Sequence, residues 1–200
     1  MANERNAGRR FDRKCGVTTQ AIVFLTDLDP ERIGDAGLHA TYYEPVPVRD
    51  FRQLIAHVPA EIIEASSFVD IGCGMGRALL LASEYPFRRV LGIEVSPGLA
   101  EIATANLTSV RTLRARSGDR AVIRADARIY RYPCGAIVAF MYNPFDGHAV
   151  RATLGALVGR EAAGATWLIY HTPVERGVLD EDLGWSVVAE TTKGIVCRYG

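Results

Sequence analysis

The chain of 200 residues balances 23 basic against 23 acidic side chains, and 48% of its residues are hydrophobic. That length buries a full core as a single domain, and the charge balance argues against a polyanion as the general partner. The apolar runs are too short to span a bilayer, and the polar, Arg-rich stretch from Met1 to Lys14 does not read as a secretory signal.

Residues 1–14 carry little apolar surface and read as mobile, the first part of an N-terminal extension over 1–41. Asp29-Pro30 breaks the apolar run Ala21 to Leu25, and 29–41, with Gly34 and Gly37, reads as irregular. In Tyr42-Tyr43-Glu44-Pro45-Val46-Pro47 the prolines force extended backbone, a stiff strap placed as a lid would be. Asp50 then caps a helix whose face is Phe51, Leu54, Ile55 and Val58, ended by Pro59. Phe68, Val69 and Ile71 close a buried strand, after which Gly72, Gly74 and Gly76 let the backbone turn sharply beside a ligand. Arg77 to Glu84 reads as the following helix, and Arg88 to Ile93 as a second strand ending in Glu94. That acid lies about twenty residues past the glycines, where nucleotide-binding βαβ units put a carboxylate on ribose.

Ser96 caps the next helix with Pro97 at its first position. Residues 109–119 read as a solvated loop, since Arg111, Arg114 and Arg116 have no interleaved aromatics for stacking on bases. Arg120 to Arg124, Gly135 to Tyr142 and Ala165 to Tyr170 are further strands, and Trp185 to Ala189 with Ile195 to Tyr199 form a closing hairpin. The fold class expected is α/β, a doubly wound, mostly parallel seven-stranded Rossmann-like sheet with an antiparallel C-terminal hairpin, over 42–200. The four cysteines, Cys15, Cys73, Cys134 and Cys197, share no metal or redox spacing and read as reduced thiols of a cytoplasmic protein.

A dinucleotide fingerprint needs a glycine where Arg77 stands. Asp70-Ile71-Gly72-Cys73-Gly74-Met75-Gly76 instead resembles the first motif of class I S-adenosylmethionine-dependent methyltransferases, and Gly92-Ile93-Glu94-Val95-Ser96 resembles their second. The resemblance implies S-adenosyl-L-methionine as cofactor. It puts Asp70, Gly72, Cys73, Gly74 and Gly76 around the methionine part and Glu94 on the ribose. Val95 would lie against the adenine, and Asp126 would accept from its amino group with Ala127 as backbone neighbour. Asn143-Pro144-Phe145 resembles the motif of amino-directed members, though with one proline where that motif has two. Asn143, counted with the cofactor-binding residues as well, is therefore a candidate catalytic residue, Tyr43 of the strap is a second because tyrosine can contact a sulfonium, and an amine or amide nitrogen is the candidate acceptor. A small molecule or protein side chain is favoured over nucleic acid as the acceptor. His171, after the fifth strand, is a candidate to face it. The rival readings are a nicotinamide-dependent oxidoreductase and a non-catalytic module that binds the same cofactor.

Overall fold

A computed structural model describes residues 2–24, 42–111, 113–181 and 184–200. The stretch with Gly34 and Gly37 lies outside the described residues. So does His39.

The chain opens with helix α1 (Ala2–Cys15), followed by the two-residue strands β1 (Val23–Phe24) and β2 (Tyr42–Tyr43), which pair antiparallel. Residues 2–14, part of the segment expected to be mobile, lie in this helix. Gly8 and Cys15 are buried and Phe11 and Asp12 half-buried, positions spaced i, i+3, i+4 and i+7 along one helical face. Phe11 packs against the core, and Cys15 belongs to it.

Helices α2 (Val48–Ile55) and α3 (Ala60–Ala65) lead into strand β3 (Ser67–Ile71). Pro47, not Asp50, occupies the N-cap of α2; Asp50 sits in its first turn and is itself buried. Pro59 ends the apolar face as read, and it also starts α3, where fixed φ and a missing N–H fit a helix entry.

The order continues as α4 (Arg77–Ala82), β4 (Arg89–Glu94), α5 (Pro97–Ser109), β5 (Asp119–Arg124), β6 (Gly135–Tyr142), α6 (Gly147–Val158), β7 (Ala163–His171), α7 (Gly177–Asp180), β8 (Trp185–Glu190) and β9 (Gly194–Tyr199). Ser96 caps α5 with Pro97 at its first turn, as its sequence demands. The seven-stranded sheet has the order β5-β4-β3-β6-β7-β9-β8. The first five are parallel; β9 runs antiparallel to both β7 and β8 and fills the place between them.

Alternate residues of the strands feed two cores. Phe68, Val138, Phe140, Ile169 and Val196 meet α2, α4 and α5 on one face, where the Phe51 ring lies tilted against that of Phe140, 5.5 Å between centroids. Val69, Ile71, Met141, Leu168 and Tyr170 meet α6 and α7 on the other. Burial on both sides explains why β6 is almost wholly apolar. The strand order reverses between β3 and β6, so the C-terminal ends of these strands splay a crevice open, where ligands of such sheets bind.

Candidate functional site

The turn after β3 is held by its own backbone. Gly72 N–H and Cys73 N–H both donate to the carbonyl of Ile93 at the end of β4, at 2.9 and 3.0 Å. Gly72, Gly74 and Gly76 have φ of 74, 52 and 83°, in the left-handed region that a Cβ penalises. Space forbids a side chain as well, since a Cβ on Gly74 would lie 2.0 Å from the Tyr43 ring. The aromatic strap is thus packed on the bare backbone of the turn.

Glu94 ends β4 and binds the turn from the other side. Its Oε2 accepts from Gly74 N–H at 2.8 Å and its Oε1 from Ser96 N–H at 2.9 Å. The carboxylate keeps lone-pair capacity for a hydroxyl donor, as a ribose contact needs. Burial pushes the Glu94 carboxyl up, and the backbone N–H donors oppose that shift. Asp70 is buried beside it and is pushed well above the ordinary carboxylate range, by burial first and by Glu94 second. Cys73, inside the turn, is pushed up by burial and then by the same two acids, so it is an inert thiol.

A cavity opens over these groups. Asp70, Gly72, Cys73, Gly74, Glu94, Val95, Asp126, Ala127 and Tyr43 all line it. Gly76 does not, because it has already become the N-cap of α4. Asn143 does not either, although its successors Pro144 and Phe145 do. A residue before proline is usually extended, but Asn143 has φ 40°, a left-handed conformation that Asn tolerates better than most residues. Asp146 accepts from Ala149 N–H at 2.9 Å, so this segment serves as the entry to α6. The Tyr43 hydroxyl donates to the carbonyl of Thr19 at 2.7 Å, and burial raises its pKa, so what Tyr43 offers the cavity is its ring. Asp126 is engaged too. The Arg128 guanidinium donates to both its oxygens, at 2.7 to 3.1 Å, and Arg128 N–H adds a bond at 2.9 Å.

Arg77 was legible only as a mismatch to the dinucleotide pattern. It is 2% exposed and lines the cavity. Its Nε donates to Thr19 Oγ1 at 2.5 Å and its Nη2 to Asp12 Oδ1 at 3.1 Å, with the Phe11 ring 5.1 Å from the guanidinium carbon. The residues that complete the site thus come from α1 and the segment behind it, 58 and 65 positions away in sequence.

A glycine turn, a buried strand-end acid and a cavity at the strand-order reversal sit on a sheet whose last strand is inserted antiparallel. Solved methyltransferases superpose on this fold. The magnesium protoporphyrin IX methyltransferase of Synechocystis superposes with a TM-score of 0.54 at 13% identity, over 76% of this chain and 79% of that one. The methyltransferase domain of bacterial CtHen1 gives 0.54 at 14%, over 76% and 100%. The mitomycin 7-O-methyltransferase MmcR gives 0.55 at 19%, over 76% and 54%.

The chain has the class I methyltransferase fold.

In sequence, a 68-residue stretch is 35% identical to the trans-aconitate 2-methyltransferase of Methylobacterium radiotolerans. It amounts to 34% of this chain and 25% of that enzyme, so the match spans about a quarter of the relative's length. No family model matches the chain. Among the described residues no His, Cys, Asp and Glu cluster could hold a metal ion, and no helix is long and apolar enough to cross a membrane.

Proposed function

We propose that the protein transfers a methyl group from S-adenosyl-L-methionine to a small acceptor. The observation that carries the reading is the buried Glu94, fixed against the glycine turn with free lone pairs at the cavity wall, within the methyltransferase fold. The residues present fit the cofactor. Glu94 would hold the ribose hydroxyls, Val95 and Ala127 would flank the adenine, and Gly72 with Asp70 would face the methionine end. The bound cofactor supplies an electrophilic methyl group on a sulfonium. The chain's part is alignment and exclusion of water, and alignment alone is worth several kcal/mol of such a barrier, about 7–11 at best. The lining of Pro144, Phe145 and the Tyr43 ring suits that exclusion.

A nitrogen acceptor rests on Asn143-Pro144-Phe145, and the left-handed backbone at Asn143 and its absence from the cavity lining take support from it. The relatives named above carry different acceptors in their names, so the fold leaves the acceptor to the groups beyond the methyl position. Calorimetry with S-adenosylmethionine, its demethylated product and NAD tests the reading. We expect the first two to bind and NAD to bind weakly or not at all; tight NAD binding with neither of the others would return the protein to the oxidoreductases. Binding of both with no methyl consumed by any acceptor would favour a non-catalytic module.

A further inference from the structure

A second, wider cavity adjoins the first, and Glu44, Pro45, Arg77 and Tyr142 line both. Its floor carries a hydrogen-bonded series that the cofactor reading leaves unused. Asp50 Oδ2, from α2, lies 3.3 Å from His171 Nε2 at the end of β7, and His171 Nδ1 lies 3.1 Å from Thr172 Oγ1. Asp50, His171 and Thr172 all line this cavity. Asp50 and His171 are buried at 6% and 3% exposure, whereas Thr172 is exposed to the cavity side. The Tyr142 ring stands edge-on to the imidazole, 4.2 Å between centroids, and limits its rotation.

Two details set this series apart from a structural buried pair. Thr172 has φ 49°, a strained conformation for a β-branched residue, and such strain gathers at functional sites. The direction of the bonds is also fixed. A carboxylate only accepts, so Nε2 carries the imidazole hydrogen toward Asp50, and Nδ1 is left to accept from the Thr172 hydroxyl. The Thr172 oxygen keeps its own lone pairs for a donor arriving from the cavity.

Position agrees. Tyr142 and His171 are register partners on adjacent parallel strands, and β6 lies between β7 and the strand that ends in the glycine turn. Two strand spacings set Thr172 roughly 10 Å from the glycine turn, the side on which an acceptor would meet the methyl group.

We infer that Thr172, backed by His171 and Asp50, is the proton-accepting end of the acceptor site, and that the acceptor is a neutral hydroxyl compound. This rests on the methyl-transfer reading. The acceptor oxygen bonds to the methyl carbon, and the broken carbon–sulfur bond leaves its electron pair on sulfur. The acceptor's proton passes to Thr172 Oγ1 while the Thr172 proton passes to His171 Nδ1. The resulting imidazolium is held by Asp50 and later loses its proton to water. A carboxylate acceptor has no proton to give, so it would have no use for the series. Burial lowers the His171 pKa and Lys193 adds to that, against Asp50 and Glu44, so the imidazole is neutral and able to accept at neutral pH. Thr172 is the catalytic residue in this scheme; His171 and Asp50 are positioning residues.

The experiment offers alcohols and phenols, carboxylates and amines as separate panels with methyl-labelled S-adenosylmethionine. Label is expected on a hydroxyl oxygen. Thr172→Val keeps the shape of an exposed side chain and should lower kcat about 10²-fold, the usual scale for proton transfer, with KM little changed. Thr172→Ser should restore most of it. The acid limb of the wild-type rate should fall below pH 6.5, the ordinary value that His171 sits under, and should vanish in His171→Gln. The groups facing this imidazole are Asp50 of α2, Glu44 of the strap, Tyr142 of β6 and Lys193 of the β8–β9 turn, so the limb should move up in Lys193→Met. Label on carboxylates or amines alone, or on none of the panels by a protein that binds the cofactor, overturns the inference. So does full turnover in Thr172→Val. Failure to bind the cofactor at all would instead sink the methyl-transfer reading.

Discussion

The glycine turn and helix α1 are joined through Arg77, which lines the cavity and pairs with Asp12, yet they were built by opposite means. The turn is local. Its acid, its glycines and Glu94 lie within 25 residues, and its bonds are to the adjacent strand. Helix α1 is attached from a distance, through Asp12 to Arg77 and through Thr19 to Arg77 and Tyr43. Asn106 extends the clamp, donating from Nδ2 to the carbonyls of both Thr18 and Met75 at 2.8 and 2.9 Å. A local device depends on backbone conformations that sequence states outright. A long-range clamp depends on polar partners that sequence does not pair.

The sharpest way to break the first half of this comparison is Glu94→Ala. It removes two charge-assisted acceptors, worth about 1.5–3 kcal/mol each, and it leaves Gly74 N–H without its partner. Affinity for S-adenosylmethionine and its demethylated product should fall about 10²-fold or more by calorimetry, with the circular dichroism of the fold retained. An unchanged dissociation constant would move the ribose site away from β4.

The second half breaks at Arg77. Removing Asp12 alone, as Asp12→Ala, leaves a buried guanidinium without its ion partner, a loss on the scale of about 3–5 kcal/mol. For a chain of this size that lowers the melting temperature by about 2–4 °C per kcal/mol. Replacing both, as Asp12→Leu with Arg77→Met, should recover most of the loss, since an apolar pair avoids the desolvation of two charges. If Asp12→Ala melts with the parent, α1 is not bolted to the domain and residues 1–14 are dispensable, as their composition alone argues.

A smaller effect separates ligand binding from stability within the turn itself. Burial holds the folded Asp70 carboxyl above its unfolded value. Its contribution to stability is therefore complete below the unfolded pKa near 3.9 and is lost as pH rises through the higher folded value. Asp70→Asn should raise the melting temperature of the ligand-free protein at pH 7, and the gain should shrink to nothing toward pH 4. A gain that persisted at pH 4 would point to packing instead of charge.

The order of strands, the glycine turn and the hairpin were legible because each rests on local pattern: buried parallel strands are continuously apolar, and positive φ calls for glycine. Helix α1 was not, for a physical reason. Its inward face is Gly8, Phe11, Asp12 and Cys15, of which only Phe11 looks like core, although their spacing is helical. Asp126 and Asn143 were read by motif, and their geometry was decided by neighbours the motif does not contain: Arg128 for the first, the entry into α6 for the second. His171 was visible at a strand end, but its partner Asp50 lies 121 positions earlier and looked like a helix cap.

The position of β9 has a bearing on how this chain is made. It follows β8 in the chain but lies inside it in the sheet, with Gly194 to Cys197 buried. A nascent chain that has emerged only as far as β8 therefore exposes the whole open edge of β7, whose residues Thr166 to His171 await a partner. Such an edge is a template for strands of other chains. Ribosome stalling or premature termination between β8 and β9 should thus yield aggregates.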